Sequence, residues 1–214
     1  MDMTGKEGVI KFSLDYTPTG PLPEDELREL NAWRKVCHLC GLIGRDPSRY
    51  GGYGYGNISR RLRSGGAGRA FIISGSQTGH LADLSPSDYA LVLECVPAEN
   101  RVVASGPVKP SSESLTHGAL YALATEVGGV IHAHSPDIWR RAHALRIPTT
   151  SAAMAYGTPE LAVEIGRLFA ESDARQRGIL AMGGHEDGIV AFGATVAQAG
   201  LTLVRTLALA FEQD

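Results

Sequence analysis

Apolar residues recur every three or four positions in five stretches of this chain, and they run together or alternate in the segments between. The first helical stretch, 23–44, carries Leu27, Leu30, Trp33, Val36, Cys37 and Cys40 at that spacing. Pro23 suits its first position, and Glu24, Asp25 and Glu26 suit the positive end of its macrodipole. The run RDPSRYGGYGYG breaks the pattern and leads into a strand, NISRRL (57–62). RAFIIS (69–74) is a second strand, with its apolar residues together as in a buried one. SPSDYALVLEC (85–95) fits either a short helical turn followed by a strand or one long strand. NRVVASG (100–106) is a further strand, paired through the PAEN turn as a hairpin.

PSSESLTHGALYALATEV (110–127) predicts a helix capped by Ser111 or Ser112, with Leu115, Ala119, Leu120 and Leu123 behind. After a Gly-Gly stop, GGVIHAHS (128–135) is a strand. Helices follow over 135–145 and 158–172, the latter with Thr158 as cap and Pro159 at its first position. RGILAMGGHEDGIVAFG (177–193) is two short strands around a loop, and 195–213 is a closing helix. Interleaved helices with adjacent strand pairs predict an α/β fold, a mixed or antiparallel sheet with helices over it. With no repeat and no low-complexity linker, the chain reads as an N-terminal segment, 1–22, and one domain, 23–214.

Composition narrows the function. The 214 residues are 43% hydrophobic, enough for one sizeable core. A net charge of -3 argues against a nucleic-acid footprint. The N-terminus has no apolar stretch of signal-peptide length, and no run reaches the roughly 20 apolar residues of a membrane span, so a soluble, cytoplasmic protein is expected. Cys37, Cys40 and Cys95, an odd count, fit a reducing compartment. The glycine clusters YGGYGYGN, RSGGAG, SGSQTG and AMGGHEDG mark tight turns or close approach to a ligand.

The chemistry centres on VIHAHSP. In a strand, residues i and i+2 face one side, so His132 and His134 point together. They are either hydrogen-bonded core imidazoles or half of a metal site. A catalytic zinc takes about three protein ligands and keeps one open position. His185, in a glycine-flanked loop, is a candidate third ligand. Glu113, in the first turn of the 110–127 helix, is a candidate acid/base.

The motifs GNISRR, SGSQTG, KPSSE, VIHAHS and YGTPELA, followed by His185, stand in the order of the class II aldolase/adducin family, which the chain resembles from its first helix onward. The resemblance implies a three-layer α/β/α sandwich around a mainly antiparallel sheet, assembled as a homotetramer. It implies that His132, His134 and His185 bind a divalent metal, zinc or else manganese, cobalt or iron. It assigns Glu113 as the catalytic residue, and Asn57, Ser74, Gly75, Ser111 and Ser112 as the pocket for a substrate phosphate. Small hydroxyls and loop N–H groups suit such an anion. The implied activity is a lyase of the aldolase type, cleaving or forming a C–C bond in a small sugar-derived substrate through a metal-stabilised enediolate. Decarboxylase, dehydratase and epimerase chemistry share this scaffold, and a non-catalytic, adducin-like interaction protein is the alternative from another class.

The chain departs from the family pattern in three places. His185 is followed by Glu186 and Asp187 before the glycine; these could bind metal, orient His185 or solvate the loop. SGSQTG is one residue longer than usual, so Thr78–Gly79 competes with Ser74–Gly75. The chain stops at LAFEQD, without the tail that brings a tyrosine proton donor in aldolase members; Tyr53, Tyr55 and Tyr156 are substitutes or structural residues. Cys37 and Cys40 are expected in the core, His38, His80 and His143 on the surface, and Lys109 in solvent; His117, four residues after Glu113, has proximity to the site as its minor reading.

Overall fold

The computed structural model describes residues 8–62 and 70–213; the RSGGAG cluster lies outside them. In chain order the elements are β1 (Ser13–Pro18), α1 (Arg28–Leu39), β2 (Gly44–Arg45), β3 (Gly54–Tyr55), β4 (Asn57–Arg61), β5 (Phe71–Ser74), β6 (Tyr89–Val96) and β7 (Arg101–Gly106). Then come α2 (Ser114–Leu123), β8 (Gly129–His134), α3 (Pro136–Arg140), α4 (Pro159–Glu171), α5 (Ala174–Arg177), β9 (Ile179–Ala181), β10 (Gly188–Gly193) and α6 (Val196–Phe211).

Eight strands form one sheet in the order β1-β7-β6-β5-β4-β8-β10-β9, and β2 pairs with β3 in a separate ribbon. Only the β1–β7 pair is parallel among the described strands. Strand alternation sends side chains to two apolar clusters. Ile58, Ile72, Ile131, Ala133, Ile189 and Ala191 enter the cluster that takes in α1, α3 and α6. Phe71, Ile73, Val130, Val190 and Phe192 enter the other, with α2 and α4. The closing helix starts at Thr195, whose hydroxyl accepts from the Gln198 N–H, and buries Val196, Ala199, Leu203, Leu207 and Ala210 along one stripe. Among the described residues no helix is long and apolar enough to cross a membrane.

Where expectation and structure differ, the reasons are local. Ser13–Pro18, read as part of a plain N-terminal segment, is an edge strand. Its residues are exposed or half-buried, so its hydrophobic alternation is weak. The first helix begins as a short 3-10 turn and stops at Leu39, because Gly41 turns the chain with a left-handed φ of +70°. Cys37 is buried as expected, but Cys40, just past that helix, is exposed rather than in the core. The 85–95 segment resolves into a 3-10 turn at Pro86–Asp88 followed by β6. The helix expected over 135–145 is a single turn and a half, α3, followed by turns. The helix expected from 110 begins at Ser114, because Pro110 is bridged to Gly75 and the next residues form a turn. Within α2, a Cβ on Gly118 would lie 2.2 Å from Cys95 Sγ, so this glycine lets the helix sit against β6.

Candidate metal centre

β8 is held between β4 and β10, with His132 opposite Asn57 on one side and Val190 on the other. His132 and His134 share the sheet face that α2 covers, and both are buried. His185 is buried in the turn between β9 and β10, where its N–H bonds to Met182 O and its carbonyl accepts from the Gly188 N–H. Gly188 is required there, since a Cβ would stand 2.6 Å from His185 Cδ2. The three imidazoles converge: ring centroids are 4.7–5.2 Å apart, and one nitrogen of each lies within 4.8 Å of the others.

The donor set fits a divalent ion. His132 Nδ1–H donates to Ile189 O at 3.2 Å, which leaves Nε2 buried with no partner among the described residues. His134 Nε2 and His185 Nε2 face each other at 3.0 Å, near the roughly 3.3 Å expected of two nitrogens on one tetrahedral zinc. Burial pushes all three imidazoles below the ordinary histidine range, toward the neutral form that binds metal. Glu113 opposes that shift at His132, whereas His132 and Lys11 add to it at His185.

Glu113 is fully buried at the N-cap of α2. Thr116 Oγ1 donates to its Oε2 at 2.6 Å, and Oε1 has no partner among the described residues. Asn57 Oδ1 is likewise unpartnered and buried. Ser111 and Ser112 are buried in the turn before α2, where Ser111 Oγ accepts from the Glu113 N–H at 3.3 Å. Gly75 is laced to this turn through its bridge to Pro110. Ser74 follows the parity of Ile72, on the sheet face away from the histidines, and its hydroxyl accepts from the Ile58 N–H at 3.2 Å. Thr78 Oγ1 donates to Gly75 O, so both candidate turns spend a hydroxyl internally. His117 is buried and bonds Ser59 Oγ at 2.7 Å; His80, His143 and Lys109 are exposed, and His38 is half-buried rather than fully outside.

Sequence reasoning singled out Asp187 and Tyr156 but missed their partners, Arg49 with Tyr50 and Lys11. Asp187 is 3% exposed, and its Oδ2 accepts from Arg49 Nη2 and, at 2.6 Å, from Tyr50 Oη. The Tyr50 ring stands edge-on to His134 at 4.5 Å. Lys11 places its ammonium 3.4 Å from the centre of the Tyr156 ring, which itself packs 4.6 Å from His185. Neither set has a local sequence signature, because the partners are more than a hundred residues apart. Tyr55 packs 5.4 Å from His134, while Tyr53 is exposed.

The mainly antiparallel sheet thus carries three buried histidines, with a buried glutamate whose charge acts on His132. The class II aldolase and adducin N-terminal domain matches residues 34–211, and the chain belongs to that family. A methylthioribulose-1-phosphate dehydratase from Gluconacetobacter diazotrophicus is 41% identical over 80 residues, which are 37% of this chain and 34% of that relative; the match thus spans about a third of its length. The fold is similar to L-fuculose-1-phosphate aldolase from Thermus thermophilus (TM-score 0.61, 19% identity, 86% of this chain and 90% of the other). It is also similar to a sugar-phosphate aldolase from Thermotoga maritima (TM-score 0.62, 15% identity, 88% and 94%).

Proposed function

We propose that this chain is a divalent-metal-dependent lyase of the aldolase type acting on a small, phosphorylated, sugar-derived substrate. The observation that carries this reading is the unpartnered Glu113 Oε1, buried on the histidine side of the sheet. His132, His134 and His185 would hold zinc, or manganese, cobalt or iron in its place. A metal there supplies Lewis-acid polarisation of the substrate's carbonyl. Glu113 Oε1 takes or returns the proton at the reacting carbon, while Thr116 fixes the other carboxylate oxygen. Asn57, Ser111 and Ser112 offer polar groups to a phosphate, and Gly75 offers its backbone. Ser74 contributes through its position in the turn, since its hydroxyl, which accepts from the Ile58 N–H, lies on the sheet face away from the histidines. The assembly in this reading is a cytoplasmic homotetramer with a three-layer α/β/α subunit.

Dehydration is the second reading, favoured by the local identity to the dehydratase. It needs the same proton transfer by Glu113 but expels a hydroxyl group instead of breaking a C–C bond. One experiment separates the two: metal-loaded protein is offered fuculose 1-phosphate and methylthioribulose 1-phosphate, and products are followed by mass. Aldehyde release supports the lyase, and loss of water the dehydratase. Glu113→Gln is expected to keep bound metal and lower kcat by at least about 100-fold. Unchanged turnover in that variant would exclude Glu113 as the acid/base.

A further inference from the structure

The two residues inserted after His185 have different fates. Glu186 is exposed, whereas Asp187 is buried and tied to residues 137 and 138 positions earlier in the chain. Arg49 Nη2 and Tyr50 Oη both donate to Asp187 Oδ2, and Arg49 Nη2 also donates to Tyr50 Oη at 2.8 Å. This closes a three-membered ring of hydrogen bonds. The Asp187 carboxylate oxygen is turned to those two donors, and the metal-competent group of the described residues comprises the three histidines without Asp187.

The ring touches the surroundings of two ligands at once. On one side, Asp187 continues the His185 turn into Gly188, whose Cα lies against the His185 imidazole. On the other, the Tyr50 ring lies against His134, and the Asp187 carbonyl accepts from the Ser135 N–H at 2.8 Å, next to His134. Tyr50 and Asp187 both hold a left-handed backbone, with φ of 50° and 60°. Non-glycine residues rarely adopt that conformation, and it persists where surrounding contacts over-determine it.

We infer that Arg49, Tyr50 and Asp187 form a clamp that sets the spacing between His134 and His185 and thereby tunes the affinity of the metal site. They are positioning residues, and the inference rests on the metal-binding reading above. Partners that orient ligands in this indirect way typically change metal affinity about 10–100-fold when removed.

The test measures zinc affinity by competition with a chromophoric chelator, alongside the thermal midpoint of each metal-free protein. Asp187→Asn suits it, because asparagine tolerates the left-handed backbone while the charge facing Arg49 is lost. Tyr50→Phe removes one hydroxyl and keeps the ring on His134, so it serves if Asp187→Asn fails to fold. The expected result is zinc binding weakened about 10–100-fold in Asp187→Asn and less in Tyr50→Phe, with altered visible absorption of the cobalt-substituted proteins. Wild-type affinity in both variants, with only a lowered metal-free midpoint, would make the ring a loop anchor and overturn the inference. Wild-type protein that binds no zinc would fail the metal reading itself, and the inference with it.

Discussion

Ser59 is the hinge of a buried polar chain, and removing its hydroxyl has a calculable cost. Its Oγ is hydrogen-bonded to His117 Nδ1 and to Tyr121 Oη, each at 2.7 Å, and the three residues are 0%, 0% and 3% exposed. Ser59→Ala strands two polar groups at once. A buried group left without a partner costs about 1–3 kcal/mol, so the variant should lose about 2–6 kcal/mol. The space left by one hydroxyl is too small to admit water. Tyr121→Phe alone deletes one hydrogen bond and leaves Ser59 paired with His117, for a loss of about 1 kcal/mol. In the double variant no tyrosine hydroxyl remains to be stranded. The double loss should therefore fall short of the summed single losses by about 2–4 kcal/mol. Urea unfolding measures this directly, provided the slope with denaturant is unchanged among the four proteins. Additivity within about 0.5 kcal/mol would refute the reasoning, because it would mean that the two hydrogen bonds do not share Ser59.

Three further outcomes are expected. Burial holds His117, His132, His134 and His185 below the ordinary value, so the folded metal-free chain stays neutral where the unfolded chain takes up protons. Its stability should be flat between about pH 7 and 8 and fall below about pH 6.5, by up to about 1.4 kcal/mol per pH unit for each histidine. The lowered carboxylates Asp46, Asp83, Glu126 and Glu164 act at more acidic pH, so a urea midpoint unchanged between about pH 7.5 and 5.5 would contradict the histidine assignment. Zinc at about 100 times its Kd should stabilise the chain by about 2.7 kcal/mol, and His132→Ala should abolish that gain in a thermal melt. Gly188→Ala should push His185 off its position, since the new Cβ meets Cδ2 at 2.6 Å; zinc affinity equal to wild type would show that the ring gives way freely.

What was legible in the sequence follows from how local each signal is. The face shared by His132 and His134 needed only strand periodicity, and Ile131 and Ala133 pack into the opposite cluster as that periodicity requires. Glu113 was legible from its motif and its place at a helix start, although the true start, at Ser114, lies further along than the apolar pattern suggests. The serines there read as caps; instead the backbone turn from Ser111 to Ser114 does part of that work. The edge strand β1 was hidden because only one neighbour supports it, and its side chains are largely in solvent.

The residues around the ligands were the least legible, and they bear most on the reaction. Similar folds carry the names of aldolases and a relative with local identity carries the name of a dehydratase, so fold and local sequence do not by themselves choose a reaction. The tyrosines packed on the ligand rings are Tyr50 and Tyr55 at His134 and Tyr156 at His185. Burial, and then its bond to Asp187, tighten the hold of Tyr50 on its own proton. Tyr55 is held up in the same direction by burial. Tyr156 instead carries the Lys11 ammonium on its ring, 3.4 Å from the centroid. Tyr156 is thus the one of the three that packs on His185, and the cation on its ring comes from the stretch of chain just before β1.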